Sequence, residues 1–115
     1  MKFSVSSGEL VKSLSAVVGA VPTKATMPIL ETVLFESEDG KVRLCATDLE
    51  VSIVEYVDAD IINEGAVAVP ARRLLETLRQ LPDIPVMFEV DERGNVKFKT
   101  DKGNYKLAGE KAADF

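Results

Sequence analysis

Residues 67–81 read Val67-Ala68-Val69-Pro70-Ala71-Arg72-Arg73-Leu74-Leu75-Glu76-Thr77-Leu78-Arg79-Gln80-Leu81. The segment from Ala66 to Val69 has strand character, and Pro70-Ala71 opens a helix where proline's missing N–H removes no hydrogen bond. Leu74, Leu75, Leu78 and Leu81 then fall at helical spacing, and Leu81-Pro82 ends the run, which predicts a helix over 71–80. The same phrase occurs near the N-terminus. Lys2 to Ser6 alternates around Phe3 and Val5, Ser6 and Glu9 form a capping-box signature, and Leu10, Leu14, Val17, Val18 and Val21 make the apolar stripe. Gly19 and Pro22 close this first helix, expected over 7–20.

A shift of 64 residues carries Phe3 onto Val67, Val5 onto Val69, Leu10 onto Leu74, Val11 onto Leu75, Leu14 onto Leu78 and Val17 onto Leu81. Each phrase leads into further strands. Ile29 to Glu36 and Lys41 to Ala46 are joined through Glu38-Asp39-Gly40-Lys41, a hairpin turn, and Val51 to Val57 follows with β-branched residues and Tyr56. In the second half, Val86 to Val90 and Asn95 to Thr100 flank Arg93-Gly94-Asn95, and Gly103 to Leu107 closes the series. A shift of 54 carries Leu34 onto Phe88, Gly40 onto Gly94, Val42 onto Val96 and Leu44 onto Phe98. Apolar coincidences are individually cheap, but their shared order is not. The expectation is a single α+β domain over 1–115, built from a β-α-β-β-β unit used twice, over 1–60 and 64–108. Its two helices lie side by side against a continuous antiparallel sheet.

A chain of 115 residues with 46% hydrophobic content buries roughly two-thirds of its unfolded surface without a metal or disulfide. Its single Cys45 has no internal partner and reads as a small strand residue, which fits a reducing, cytoplasmic setting. No apolar run has the length to cross a bilayer, and the alternation of Met1-Lys2-Phe3-Ser4-Val5 gives no expectation of a secretory leader.

Net charge of -5 argues at first sight against nucleic acid, because DNA binders are usually basic. The distribution answers this. The second helix carries Arg72, Arg73 and Arg79 against one acid, Glu76, which can pair with Arg72 at i, i+4. Lys12 lies opposite the apolar stripe of the first helix, and Lys24 follows in the loop. Acids concentrate in strands and turns, so the helix side is expected to be mildly positive and the other side strongly negative. Solvated helix faces commonly carry Lys and Arg, so charge alone does not separate a surface from a site. Three or four phosphate contacts give a salt slope of roughly -3, so fourfold more salt weakens binding about a hundredfold. Such a face suits loose passage of DNA better than tight contact.

Catalytic chemistry is poorly supplied. The chain has no His, which excludes His-based triads and the commonest metal ligand. Asp48 and Glu50 in Thr47-Asp48-Leu49-Glu50 share a face in extended chain and are the one carboxylate pair worth weighing for a metal. They lack any accompanying polar group or Gly-rich phosphate loop, so a turn at a strand start is the plainer reading. No cofactor and no metal site is expected.

Met1-Lys2-Phe3, Pro28-Ile29-Leu30, Thr47-Asp48-Leu49-Glu50, Val69-Pro70-Ala71-Arg72 and Ala112-Ala113-Asp114-Phe115 span the chain in an order and spacing that resemble the bacterial DNA polymerase III beta subunit, at its first domain. The resemblance implies a DNA-clamp fold and a non-enzymatic processivity factor. In that family three similar domains make a subunit and two subunits make a head-to-tail ring around duplex DNA. The ring tethers DNA polymerase III and is opened by a clamp loader. It further implies DNA-facing roles for Lys12, Lys24, Arg72, Arg73 and Arg79, with Arg73 near the subunit boundary instead as an alternative. Tyr105 and Leu107 match apolar positions on the strand that meets the partner subunit. Ordinary core alternation with Asn104 and Lys106 explains them equally well. Lys106 and Glu110-Lys111 are more polar than that boundary usually is. The rival readings are a stand-alone interaction module that recruits a peptide to this edge strand, and a metal enzyme around Asp48 and Glu50.

Overall fold

The computed structural model describes residues 1–22 and 28–115. Its first strand, β1 (Lys2–Ser6), runs directly into helix α1 (Ser7–Val18). β2 (Thr32–Glu38), β3 (Lys41–Thr47) and β4 (Ser52–Asp58) follow as a meander, then a short β5 (Asp60–Asn63). The series recurs with β6 (Ala66–Pro70), α2 (Ala71–Arg79), β7 (Pro85–Val90), β8 (Asn95–Thr100), β9 (Gly103–Ala108) and a two-residue β10 (Glu110–Lys111).

The strands form two antiparallel five-stranded sheets, ordered β5-β1-β7-β8-β9 and β10-β6-β2-β3-β4. Advancing every strand of one order by five positions, cyclically, reproduces the other. Each half's first strand is therefore held in the sheet of the other half: β1 pairs with β7, and β6 with β2. The expected continuous sheet is divided because β5 and β10 take the remaining sides of β1 and β6. Both were missed in the sequence, being too short for a periodic signal. Ile29 to Glu31, expected as strand, is a 3-10 turn, with Thr32 Oγ1 donating to the Ile29 carbonyl at 2.6 Å.

α1 and α2 contact one another. Leu10, Leu14 and Val17 of α1 and Leu74, Leu75 and Leu78 of α2 join the inward side chains of both sheets in one buried cluster. The register of that cluster corrects one expected equivalence. Phe35, not Leu34, is buried and pairs with Leu44, as Phe88 pairs with Phe98. The offset between the hairpins is thus one residue shorter before the turn than after it.

In the first sheet the core row is aromatic. Phe3, Phe88, Phe98 and Tyr105 are direct cross-strand partners over β1, β7, β8 and β9. Their rings stack at centroid distances of 4.9, 5.1 and 5.0 Å, an offset arrangement that stabilises beyond burial alone. The equivalent row of the second sheet is Val67, Phe35, Leu44 and Glu55.

A polar latch ties the end of α2 to the start of α1. Ser6 Oγ accepts from the Glu9 N–H, as the capping signature predicts, and donates to Asp83 Oδ1 at 2.6 Å. The same carboxylate oxygen accepts the Gly8 N–H at 3.1 Å, adding negative charge at a helix N-terminus. Ser7 Oγ donates to the Pro82 carbonyl and accepts from the Ile84 N–H. The Ser6 hydroxyl and then the Gly8 N–H hold the Asp83 carboxyl below its ordinary value of 3.8.

Gly40 and Gly94 both have positive φ, but a Cβ at Gly40 meets nothing, whereas at Gly94 it falls 3.0 Å from the Glu110 carbonyl carbon. Gly40→Ala should cost only the left-handed backbone, about 1–2 kcal/mol, and Gly94→Ala more than that, measured by urea unfolding. A depressed carboxyl contributes stability that is complete above the ordinary value and lost as pH falls through the native one. Asp83→Asn should therefore lower Tm near neutral pH, and its gap from the parent should close as pH drops below about 4. A pH-independent gap would show that the latch does not depend on the charge.

Candidate nucleic-acid interface

The buried stripes of α1 and α2 leave their opposite faces outward. Lys12, Arg72, Arg73 and Arg79 project there, with Glu9 and Glu76, and all six are exposed. Heptad spacing within α2 puts Arg72 and Arg79 on one side, but the structure gives them different tasks. Arg72 Nη2 donates to the Val21 carbonyl at 2.7 Å, reaching across to the chain that leaves α1. The expected i, i+4 pair with Glu76 is not formed. The guanidinium is held instead by the Val21 carbonyl, in the segment beyond the end of α1. Arg79 Nη2 lies 3.4 Å from Ser15 Oγ, an exposed contact that bridges the two helices weakly.

Lys12, Arg73 and Arg79 take no part in the ion pairs found among the described residues, which are Lys2–Glu89, Lys41–Asp58 and Arg43–Glu36. Arg73 lines a cavity of about 300 Å³ with Pro22, Thr32, Ala108 and Glu110, so it lies toward the β9–β10 end of the domain. Lys24 lies outside the described residues.

Tyr105 and Leu107 sit on β9, the outermost strand of its sheet, and both are half-buried. They face inward, Tyr105 stacked on Phe98, while Asn104 and Lys106 face out. Core alternation is therefore seen directly. Among the described residues, no strand lies on the outer side of β9.

Asp48 is a turn residue. Its Oδ1 accepts from the Val51 N–H at 2.7 Å and the Glu50 N–H at 2.9 Å, and these two bonds lower its carboxyl below the ordinary range. That turn carries Leu49 at φ 80°. Cys45 is half-buried on β3, between Leu34 and Val54 on the neighbouring strands.

The expected contrast between a basic helix side and a strongly acidic sheet side does not hold. On the outer face of the β5-β1-β7-β8-β9 sheet, Lys2, Glu89, Lys97 and Lys106 form one cross-strand row, and Met87, Lys99 and Asn104 lie in the next. Alternation of Lys97 and Lys99 with Val96 and Phe98 already marks them as outward. Only the pairing of β8 with β9 brings Lys106 to them. Acids crowd the turns instead, where Asp91 accepts from Asn95 through its side chain and backbone, and from the Arg93 N–H.

Against known proteins, the family model described as DNA polymerase III beta subunit, N-terminal domain, matches residues 1–115. A protein named beta sliding clamp from Vibrio harveyi is 35% identical over 116 residues, covering all of this chain and 80% of that one. A beta sliding clamp from Vibrio cholerae is 33% identical, again over the whole chain, which spans 32% of its length. A crystal structure of a putative DNA polymerase III beta subunit from Eubacterium rectale superposes with a TM-score of 0.95 at 33% identity, covering 100% of this chain and 32% of that one. The chain thus spans about a third of the length of the Vibrio cholerae and Eubacterium rectale proteins. Two adjacent helices on cyclically matched sheets, over a sequence matched from end to end, belong to one family: the chain is a member of the DNA polymerase III beta subunit N-terminal domain family.

Proposed function

We propose that this chain acts as the first of three like domains in a subunit of a ring-shaped sliding clamp. Two such subunits join head to tail around duplex DNA. The observation that carries the reading is the pair of adjacent helices with Lys12, Arg73 and Arg79 exposed and outside the ion pairs found among the described residues. With the helices toward the hole, these side chains meet phosphate without a sequence-specific contact. Lys24, six residues after α1 in sequence, adds to them. Arg72 acts differently, holding the segment that leaves α1 through the Val21 carbonyl.

Few contacts on an acidic body hold DNA weakly, and the weakness is functional. Retention comes from closure of the ring, and a shallow electrostatic well allows sliding. The domain edges support head-to-tail assembly, because equivalent positions differ: Tyr105 ends the core row at β9, and Glu55 ends it at β4. Unlike edges suit a heterologous contact. Tyr105 and Leu107 would be completed by the partner subunit, with Arg73 near the same boundary. The domain is taken as one unit over 1–115, with repeats 1–60 and 64–108. It is non-catalytic and cytoplasmic, and its other partners are DNA polymerase III and a clamp loader.

The half-exposed Tyr105 and Leu107 on an open edge also favour a second reading, a stand-alone module that pairs a peptide with β9. Assembly separates the two.

Full-length protein loaded on closed circular duplex should survive a high-salt wash and be lost when the circle is cut; equal loss from both would contradict ring closure. Replacing Lys12, Arg73 and Arg79 with Gln should reduce the salt slope of duplex binding by about one unit per contact removed, with retention on closed circles unchanged. Tyr105→Ala with Leu107→Asp should shift the full-length protein from dimer to monomer in sedimentation. An unchanged dimer would favour the peptide-recruiting alternative.

A further inference from the structure

On the outer face of the β5-β1-β7-β8-β9 sheet, Lys97 stands directly opposite Lys106. Like charges in direct cross-strand register oppose folding. Lys99 lies two residues along β8, on the same face. None of the three is within ion-pair distance of a carboxylate among the described residues. Glu89, the cross-strand neighbour of Lys97, bonds to Lys2 on its other side at 3.4 Å. Met87, Glu89, Lys97, Lys99, Asn104 and Lys106 line an open depression of about 460 Å³, with the Glu89 carboxylate drawn to Lys2.

Three unpaired ammonium groups around a partly apolar depression, on a chain of net charge -5, form a local inversion of charge. We propose that this face binds a short acidic segment of a partner protein, carboxylates on Lys97, Lys99 and Lys106 and an apolar side chain over Met87. The surface lies opposite the aromatic core row, on the side away from the helices, and the proposal does not rest on the clamp reading.

Size and composition favour peptide over nucleic acid. β8 has six residues, about 20 Å of sheet, and the strip ends at the Asp91 and Glu92 turn and at Asp101. A long phosphate track would run onto those carboxylates and over Glu89. A short peptide stays within about 8 Å of the lysines, inside the screening length. Its apolar side chain also covers Met87, which a sugar–phosphate backbone does not.

The test is fluorescence anisotropy of the 115-residue chain with a labelled hexapeptide of Asp and Glu around a central Leu, alongside a labelled single-stranded oligonucleotide. Amide shifts locate the contact. Saturable peptide binding is expected, with shifts confined to β7, β8 and β9. Lys97→Gln with Lys106→Gln should weaken it by about tenfold or more, given the strength of charge-assisted bonds, and Lys12→Gln should leave it unchanged. Both substitutions are at exposed positions and remove a repulsion, so folding is retained. Absence of binding, insensitivity to the double substitution, shifts on α1 and α2, or tighter binding of the oligonucleotide at this face would each overturn the proposal.

Discussion

Each half of the chain lends its first strand to the other half's sheet. β1 is hydrogen-bonded to β7 and β6 to β2, so neither half closes a core by itself. The helices are placed by this exchange. α1 leaves β1 in one sheet and leads to β2 in the other, and α2 makes the reverse crossing, so both must span between the sheets. Two such crossings sharing one core come to lie against each other. Their outward faces then form one surface, and a pair of helices becomes a candidate interface. The Asp83 latch and the Arg72–Val21 bond fasten the two ends of α1 to residues around α2. The helix pair is held by polar contacts as well as by leucine and valine.

Much of this was legible in the sequence because it is local. Leu10, Leu14 and Val17, and Leu74, Leu75 and Leu78, are the stripes that bury, and Gly40 and Gly94 are turn residues with positive φ, as their hairpins require. Information that resides in a pairing partner was not legible. Asp60–Asn63 and Glu110–Lys111 are strands only because β1 and β6 offer an open side. Leu34 and Phe35 are both apolar, and which one faces the core is decided by register with β3. A shift by one residue exchanges the faces of a strand, so alignment by apolar coincidence chose the wrong neighbour there.

The site followed the same division. Residue types and helix positions identified Lys12, Arg73 and Arg79 as outward cations, and the structure leaves them exposed. Arg72 differs because its acceptor, a carbonyl fifty-one residues away in sequence, exists only after the helices pack. The lysines of β8 and β9 were overlooked for a related reason. Summed over strands and turns the sheet side is acidic, but pleating sorts the charges, sending Lys97, Lys99 and Lys106 outward together while acids gather at the turns. Net charge predicts neither surface, and an acidic chain can carry two basic ones facing apart.

If the helix face meets DNA and the outer sheet face does not, one experiment separates the two faces. A photo-crosslinking side chain is placed at position 79 on α2 or at position 97 on β8 of the full-length protein, which is then loaded on closed circular duplex. Crosslinks to DNA are expected from position 79 and none from position 97. Crosslinks from position 97 with none from position 79 would place the DNA against the sheets and contradict the clamp reading.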